Sequence, residues 1–245
     1  MKTYEIECEG EIHEIGLDDE GYLHALDHDE EHERVLADLG EEVSGCIDLI
    51  LTIEDADEDE REDIFLRAAH LGHPSVVELM LDTGVDARAG DDYALREAAR
   101  LGHAPVVAIL LKHRVYINTH AGLPLREAAA NGHLDVVKIL VKAGAGDYED
   151  SWDSALVDAA KYGQLDVLKY FLEEPNDADV LNAALREAVK NCNTAVLELL
   201  LEHGADVHRG HDESLWWAEK NAYYLRSKDC QDVMSILKDW IEEHG

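Results

Sequence analysis

The chain has 245 residues, 55 of them acidic and 21 basic, for a formal charge of −34. An excess of that size repels nucleic-acid phosphates and anionic lipid headgroups, so direct binding to nucleic acid or to a membrane surface is not expected. Hydrophobic residues make up 46%, enough for a core, and aromatics at 6% argue against an aromatic-rich β-sandwich.

The first residues, Met1 to Glu7, are acidic and carry no apolar stretch of signal-peptide length. No apolar run long enough to span a bilayer follows, so a cytoplasmic protein is expected. The four cysteines, Cys8, Cys46, Cys192 and Cys230, form no Cys-x-x-Cys pair, and the nearest two are 38 residues apart. Reduced, unpaired thiols are the expectation, with neither a disulfide framework nor a zinc site.

Residues 1–53 read as an acidic α+β region. Tyr4, Ile6 and Cys8 alternate with Glu5, Glu7 and Glu9, and Ile12, Ile15, Leu17, Tyr22, Leu23 and Leu26 continue the pattern. With turn signals at Gly10, Gly16 and Gly21, this predicts a small β-meander over residues 1–25. His28-Asp29-Glu30-Glu31-His32 matches an inverted zinc-protease string, and His24 precedes it by four residues. A catalytic zinc also needs a third ligand and a wide cleft, which so short a region does not build; the stretch is read as a solvated start to a helix over 29–39, without metal. Cys46 to Ile53 is a short apolar run of ambiguous type, and residues 54–63 read as an acidic linker or helix start.

Residues 1–63 hold 25 acidic and three basic side chains, a net charge of −22, whereas the remaining 182 hold 30 and 18, a net of −12. A quarter of the chain thus carries about two thirds of the charge excess. That contrast suggests an anionic surface built from Asp27, Asp29, Glu30, Glu31, Asp55, Asp57, Glu58, Asp59 and Glu60 and directed at a basic protein partner.

From residue 64 to the end the chain repeats itself. Leu66, Leu95, Leu125, Leu156, Leu185 and Leu215 recur at spacings of 29, 30, 31, 29 and 30. Small pairs follow each (Ala68-Ala69, Ala98-Ala99, Ala128-Ala129, Ala159-Ala160, Ala188-Val189), then a Gly turn, then pairs such as Val76-Val77 and Val136-Val137 opening an apolar helix. Gly84, Gly144 and Gly204 are placed as left-handed caps. Paired alanines permit close helix approach, and one such unit cannot bury both its faces alone, so the units stack.

Ala94-Leu95-Arg96-Glu97-Ala98-Ala99-Arg100-Leu101-Gly102-His103 and Gly204-Ala205-Asp206-Val207 resemble ankyrin repeats. The resemblance covers roughly residues 62–241, five units in register and a sixth, imperfect one. It implies a mostly α fold: an ankyrin-repeat solenoid of stacked helix pairs, with a small N-terminal α+β extension and a C-terminal cap. That cap has a longer link around Tyr223 to Lys228 and carries Trp216, Trp217 and Trp240, with Trp216 and Trp217 read as its core. The family's Thr-Pro-Leu-His opening is replaced by Tyr93-Ala94-Leu95-Arg96 and Leu123-Pro124-Leu125-Arg126. The period near 30, short of the family's 33, implies trimmed fingers.

The resemblance also places the residues before each Gly turn in a concave groove: His70, Arg100, Leu101, Asn131, Lys161, Tyr162, Lys190, Asn191 and Lys220. One turn earlier stand Arg67, Arg96, Arg126 and Arg186. Eight of the 18 basic residues of the repeat segment fall on this stripe. An Arg–Glu ladder through Glu97, Glu127 and Glu187 would account for the arginines structurally, leaving Arg100, Lys161, Lys190 and Lys220 for a ligand. His73, His103 and His133 recur with the Gly turns and are read as turn and stacking residues. No nucleophile elbow, phosphate loop or dinucleotide fingerprint is found, so no enzyme activity and no cofactor are expected.

The functional expectation is a monomeric, non-catalytic protein-binding module: an inhibitor or immunity-type protein that covers a basic nuclease or toxin by charge complementarity. Two alternatives are a scaffold or sensor that takes an acidic peptide or anionic ligand in the groove, and a DNA mimic directed against a defence protein.

Overall fold

A computed structural model describes residues 2–8, 11–17, 23–25, 57–147, 150–207, 213–225 and 227–244. They divide into two units, Met1–Ala98 with Pro105–Tyr116, and Ala99–Ala104 with Ile117–Gly245.

The first unit opens with a meander of three antiparallel strands in the order β1 (Lys2–Cys8), β2 (Glu11–Leu17) and β3 (Leu23–Ala25). The expected meander is present, with one correction. Gly16 is no turn residue; it lies inside β2, paired with Thr3 on one side and His24 on the other. The expected helix over 29–39 and the histidines His28 and His32 lie outside the described residues.

Helix α1 (Glu58–Leu71) and helix α2 (Pro74–Asp82) form the first helix pair, and β1 lies against α2. Of the acidic stretch 54–63, residues from Glu58 onward are therefore helical. Asp57 is the reason the helix starts there. Its side chain accepts from the Glu60 N–H at 3.0 Å, and the Glu60 carboxylate accepts from the Asp57 N–H at 2.9 Å. This reciprocal capping box satisfies two backbone donors that the helix leaves open, and Glu58, Asp59 and Glu60 complement the positive helix end. Ile64, Phe65, Ala68 and Ala69 of α1 are buried with Val76, Val77, Leu79 and Met80 of α2.

The next helices are α3 (Ala89–Leu101) and α4 (Ala104–Leu110). Gly90, Asp91 and Asp92 at the start of α3 are left-handed. Asp92 is 1% exposed and its Oδ1 accepts from the Tyr116 N–H at 3.2 Å, with Arg88 at 4.0 Å. This buried carboxylate anchors the loop that follows the pair.

The second unit contains α5 (Thr119–Ala130), α6 (Leu134–Lys142), α7 (Ser151–Lys161), α8 (Leu165–Leu172), α9 (Ala178–Lys190), α10 (Thr194–Glu202), α11 (Glu213–Leu225) and α12 (Lys228–His244). Helices α5, α7, α9 and α11 pack side by side in one layer, and α6, α8, α10 and α12 in the other. Ala128, Ala129, Ala159, Ala160, Ala188 and Val189 are fully buried between them, as are Val137, Leu140, Leu168, Phe171, Leu197 and Leu200. The small pairs let the first-layer helices approach, and the Val/Leu pairs fill the space between layers.

Each turn is tied to its neighbour by one side chain from the following repeat. His133 Nε2 donates to the Arg100 carbonyl at 2.9 Å, Gln164 Nε2 to the Ala130 carbonyl at 2.8 Å, and Asn193 Nδ2 to the Ala160 and Lys161 carbonyls at 3.1 and 3.0 Å. Asn221 Nδ2 does the same for the Lys190 carbonyl at 2.9 Å. These bonds satisfy carbonyls that a helix end leaves open. They confirm the stacking role read for His133, and the bond to a carbonyl requires its Nε2–H form.

Two expectations at the C-terminal end are corrected. The link expected around Tyr223 to Lys228 is shorter, because α11 runs on to Leu225 and α12 begins at Lys228. The unpaired thiols expected at Cys192 and Cys230 are instead joined in a disulfide with Cα atoms 4.8 Å apart. Separation along a chain does not measure separation in space when successive repeats return to the same position every 30 or so residues.

Candidate functional site

The candidate surface of the second unit is the outer side of the α5–α7–α9–α11 layer. Two of its helices, α7 and α9, are graded in charge from end to end. Helix α7 begins beside Asp150 with Asp153, continues through Asp158 and ends at Lys161; helix α9 begins with Asp179 and ends at Lys190. Acid at a helix start and base at its end both complement the helix dipole, so the grading has a local cause before it has any function.

At the acidic side lies a cleft of about 440 Å³, lined by Arg126, Asp150, Asp153, Ser154, Val157, Asp158, Asp179, Val180 and Ala183. Its one cation is already engaged: Arg126 Nε donates to Asp158 Oδ2 at 2.8 Å, an ion pair between neighbouring repeats. Asp153 feels the consequence. Partial burial, with Asp150 and Asp177 adding like charge, raises its carboxyl above the ordinary aspartate range. Because the raised value belongs to the folded state, the folded chain holds a proton that the unfolded chain has already lost. Stability from this group is fully present below the unfolded value of about 3.9 and is lost as pH rises through the folded one. Asp153→Asn is therefore expected to raise the thermal midpoint at neutral pH. Its advantage over the parent chain should shrink as the acid range is entered, which melts over a pH series will measure.

The Arg126–Asp158 pair also borders a second cleft of about 310 Å³, lined by Leu123, Arg126, Glu127, Ala130, Asn131, Asp158, Lys161 and Tyr162. Beyond it the lysines lie over aromatic rings. Lys161 Nζ is 4.9 Å from the Tyr162 ring centre, Lys190 Nζ is 5.6 Å from Trp217, and Lys220 Nζ is 4.6 Å from Trp216 and 4.7 Å from Trp217. Lys190 is also bonded to Glu187 at 2.8 Å. Tyr162 and Trp216 are 55% and 53% exposed. The expectation that Trp216 is core in the cap is corrected: it is a surface ring packed edge-on against Trp217 at 4.9 Å.

Of the residues expected in a groove, the second unit carries Arg100, Leu101, Asn131, Lys161, Tyr162, Lys190 and Asn191 at the ends of α3, α5, α7 and α9, whereas Lys220 lies in the middle of α11, which runs on to Leu225. Asn131 and Asn191 are exposed and fold back on their own helix ends, each donating from Nδ2 to the carbonyl of the glutamate four residues earlier, at 2.8 Å. In the first unit, His70 Nδ1 bonds the Glu97 carboxylate at 3.2 Å. The expected Arg–Glu ladder is therefore redistributed. Glu97 meets His70, Glu187 meets Lys190, and Arg126 pairs with Asp158. Asp158 sits at the position that apposes Arg126 across the repeat, which a pattern confined to each arginine's own helix does not reveal.

Of the proposed anionic surface, Asp57, Glu58, Asp59 and Glu60 are exposed on the first turn of α1. Asp27, Asp29, Glu30, Glu31 and Asp55 lie outside the described residues. Sequence reasoning missed Asp153 and Asp179; the signal available to it was the acid recurring at the start of α7 and α9. Among the described residues no cluster of His, Cys, Asp or Glu fit to hold a metal ion is present, and no helix is long and apolar enough to cross a membrane.

Stacked helix pairs with a left-handed turn between them, repeated at a period near 30, decide the family question together with one comparison. The family model for ankyrin repeats (3 copies) matches residues 65–151 and 125–211. The chain belongs to the ankyrin-repeat family. No match was found among curated proteins. Ankyrin repeats form a protein–protein interaction module, and here the module presents the layer just described.

Proposed function

We propose that this ankyrin protein is a non-catalytic binding protein that recognises a basic protein partner, acting as an inhibitor or immunity-type cover for a cationic nuclease or toxin, or as a mimic of the DNA such a partner binds. The observation that carries this reading is the acidic cleft. Asp150, Asp153 and Asp158 line it beside one guanidinium that is already paired, and partial burial, with like charge from Asp150 and Asp177, raises the Asp153 carboxyl above the ordinary aspartate range. A lysine or arginine side chain entering there adds opposite charge beside these carboxylates, so binding is favoured by charge complementarity. The net charge of −22 on residues 1–63 adds long-range attraction for the same class of partner. Cytoplasmic residence and a monomeric state are part of the proposal.

A second reading has an observation of its own. Lys161 and Lys220 stack on aromatic rings. An acidic peptide or another anionic ligand would find both charge and a flat apolar platform there.

The two are separated with fluorescent peptides, one lysine-rich and one glutamate-rich, titrated by anisotropy at low and physiological salt. The lysine-rich peptide is expected to bind, more weakly as salt rises, and to lose about tenfold in affinity in the Asp153→Lys/Asp179→Lys chain, a loss of about 1.4 kcal/mol. Reversal of Lys161, Lys190 and Lys220 to glutamate should leave that binding intact. If the aspartate reversals change nothing, the cleft has no part in recognition; if the glutamate-rich peptide is preferred and the lysine reversals abolish it, the second reading replaces the first.

A further inference from the structure

We infer that Cys192 and Cys230 form a thiol–disulfide exchange site, served by low-molecular-weight thiols and their disulfides, that locks the last helix pair onto the repeat before it. The inference goes beyond the binding reading and stands whether or not the clefts take a peptide.

The position of Cys192 is the first support. It lies in the turn between α9 and α10 at φ +57°, where the equivalent turns carry Gly72, Gly102, Gly132 and Gly163 at φ between +77° and +82°. A side chain is disfavoured in that left-handed conformation, so nothing in the turn itself calls for cysteine. The bond to Cys230 does.

The surroundings of Cys230 are the second. It occupies the third position of α12, whose cap is Ser227. The Cys230 N–H donates to Ser227 Oγ at 3.2 Å, and the Ser227 hydroxyl donates to Cys230 Sγ at 2.9 Å. Cys230 is 2% exposed, whereas Cys192 is only half-buried in a surface turn. An entering thiolate therefore meets Cys192. It bonds to the Cys192 sulfur, the Cys192–Cys230 bond breaks, and Cys230 leaves as a thiolate that the Ser227 hydroxyl and the amino end of a 17-residue helix are placed to receive. A second thiolate then attacks the small-molecule sulfur of the mixed disulfide and frees Cys192 as a thiolate. In sum, two small thiols become one small disulfide, and the protein gains two electrons and two protons once its thiolates are protonated. The reverse reaction, with the small disulfide as oxidant, restores the lock.

What the lock holds is the third. The terminal pair α11–α12 is anchored to the preceding repeat by the Asn221 bond to the Lys190 carbonyl, by Lys190 over the Trp217 ring, and by the disulfide. End repeats lose structure first, because they have a neighbour on one side only. A covalent tie across 38 residues removes much of the freedom that such local opening would gain.

The test uses the full chain in a Cys8→Ser/Cys46→Ser background, equilibrated in graded ratios of reduced to oxidised glutathione. Alkylation followed by peptide mass mapping reads the thiols, and amide hydrogen exchange reads residues 213–244. The expected result is that Cys192 and Cys230 become alkylated together as the ratio rises. Protection across 213–244 should fall about tenfold or more in the same range, with residues 151–190 little changed. Cys192→Gly supplies the residue this turn favours, so its fold is secure; its protection across 213–244 should be the same in every redox buffer. Free thiols at all ratios, equal protection in the oxidised and reduced chains, or a Cys192→Gly chain that still responds to glutathione would each overturn the inference.

Discussion

Phe171→Ala is expected to cost about 3–5 kcal/mol of stability, the largest effect of any single substitution considered for this protein. Phe171 is fully buried in α8, at the place where other repeats carry Leu110, Leu140 and Leu200. A larger residue fits because Trp152 of α7 meets it edge-on, ring centres 4.6 Å apart. The Trp152 Nε1–H donates in turn to Asn176 Oδ1 at 3.0 Å, and Asn176 Nδ2 donates to the Phe171 carbonyl at 2.9 Å. Truncation to alanine removes the ring that Trp152 rests on, and a rotated indole would lose its hydrogen bond, so the space does not close easily. Phe171→Leu, which restores what the other repeats use, should cost much less, within about 1.5 kcal/mol. Urea titrations of both variants followed by circular dichroism measure the difference. Equal losses would mean that the aromatic contact contributes nothing beyond volume.

Gly102→Ala is expected to cost about 2–4 kcal/mol, from two sources. The backbone at φ +82° disfavours any side chain, by about 1–2 kcal/mol. A Cβ there would also stand 2.5 Å from His133 Nδ1, so the imidazole must swing away. Swinging away breaks the bond from His133 Nε2 to the Arg100 carbonyl and leaves a helix-end carbonyl open, about 1–2 kcal/mol more. Gly204→Ala is the matched control: φ is +87°, but no atom lies within 4 Å of the added Cβ. The gap between the two variants, read from the same titrations, isolates the histidine contact. If the gap is absent, the imidazole bond adds no stability.

The repeat architecture was legible because the same physical demand recurs. Each unit must bury a small pair and a Val/Leu pair and must turn in the left-handed region, so Ala128-Ala129, Val136-Val137 and Gly132 announce themselves by periodicity. His133 was legible for the same reason. The features that escaped are those whose partners lie one repeat away in a different register. Arg126 was matched with the glutamate beside it, whereas the carboxylate opposite it is Asp158, 32 residues on. Cys192 and Cys230 looked remote for the same cause. Trp216 was read as cap core, but it stands two residues from each of the buried Ser214 and Ala218, which turns it to the opposite side of α11. Gly16 was read as a turn because glycine usually is one, although a strand tolerates it. The acidic cleft went unnoticed because Asp150, Asp153 and Asp179 are ordinary helix-start residues, and only the packing of two neighbouring helices brings them, with Asp158, to one cleft.

The bonds that run from His133, Gln164, Asn193 and Asn221 back to the preceding helix end all point the same way along the chain. During synthesis each of those carbonyls stays open to water until the ribosome has delivered some thirty further residues. A chain that stops anywhere in this stretch therefore leaves its last helix end without the side-chain donor that the next repeat would have supplied.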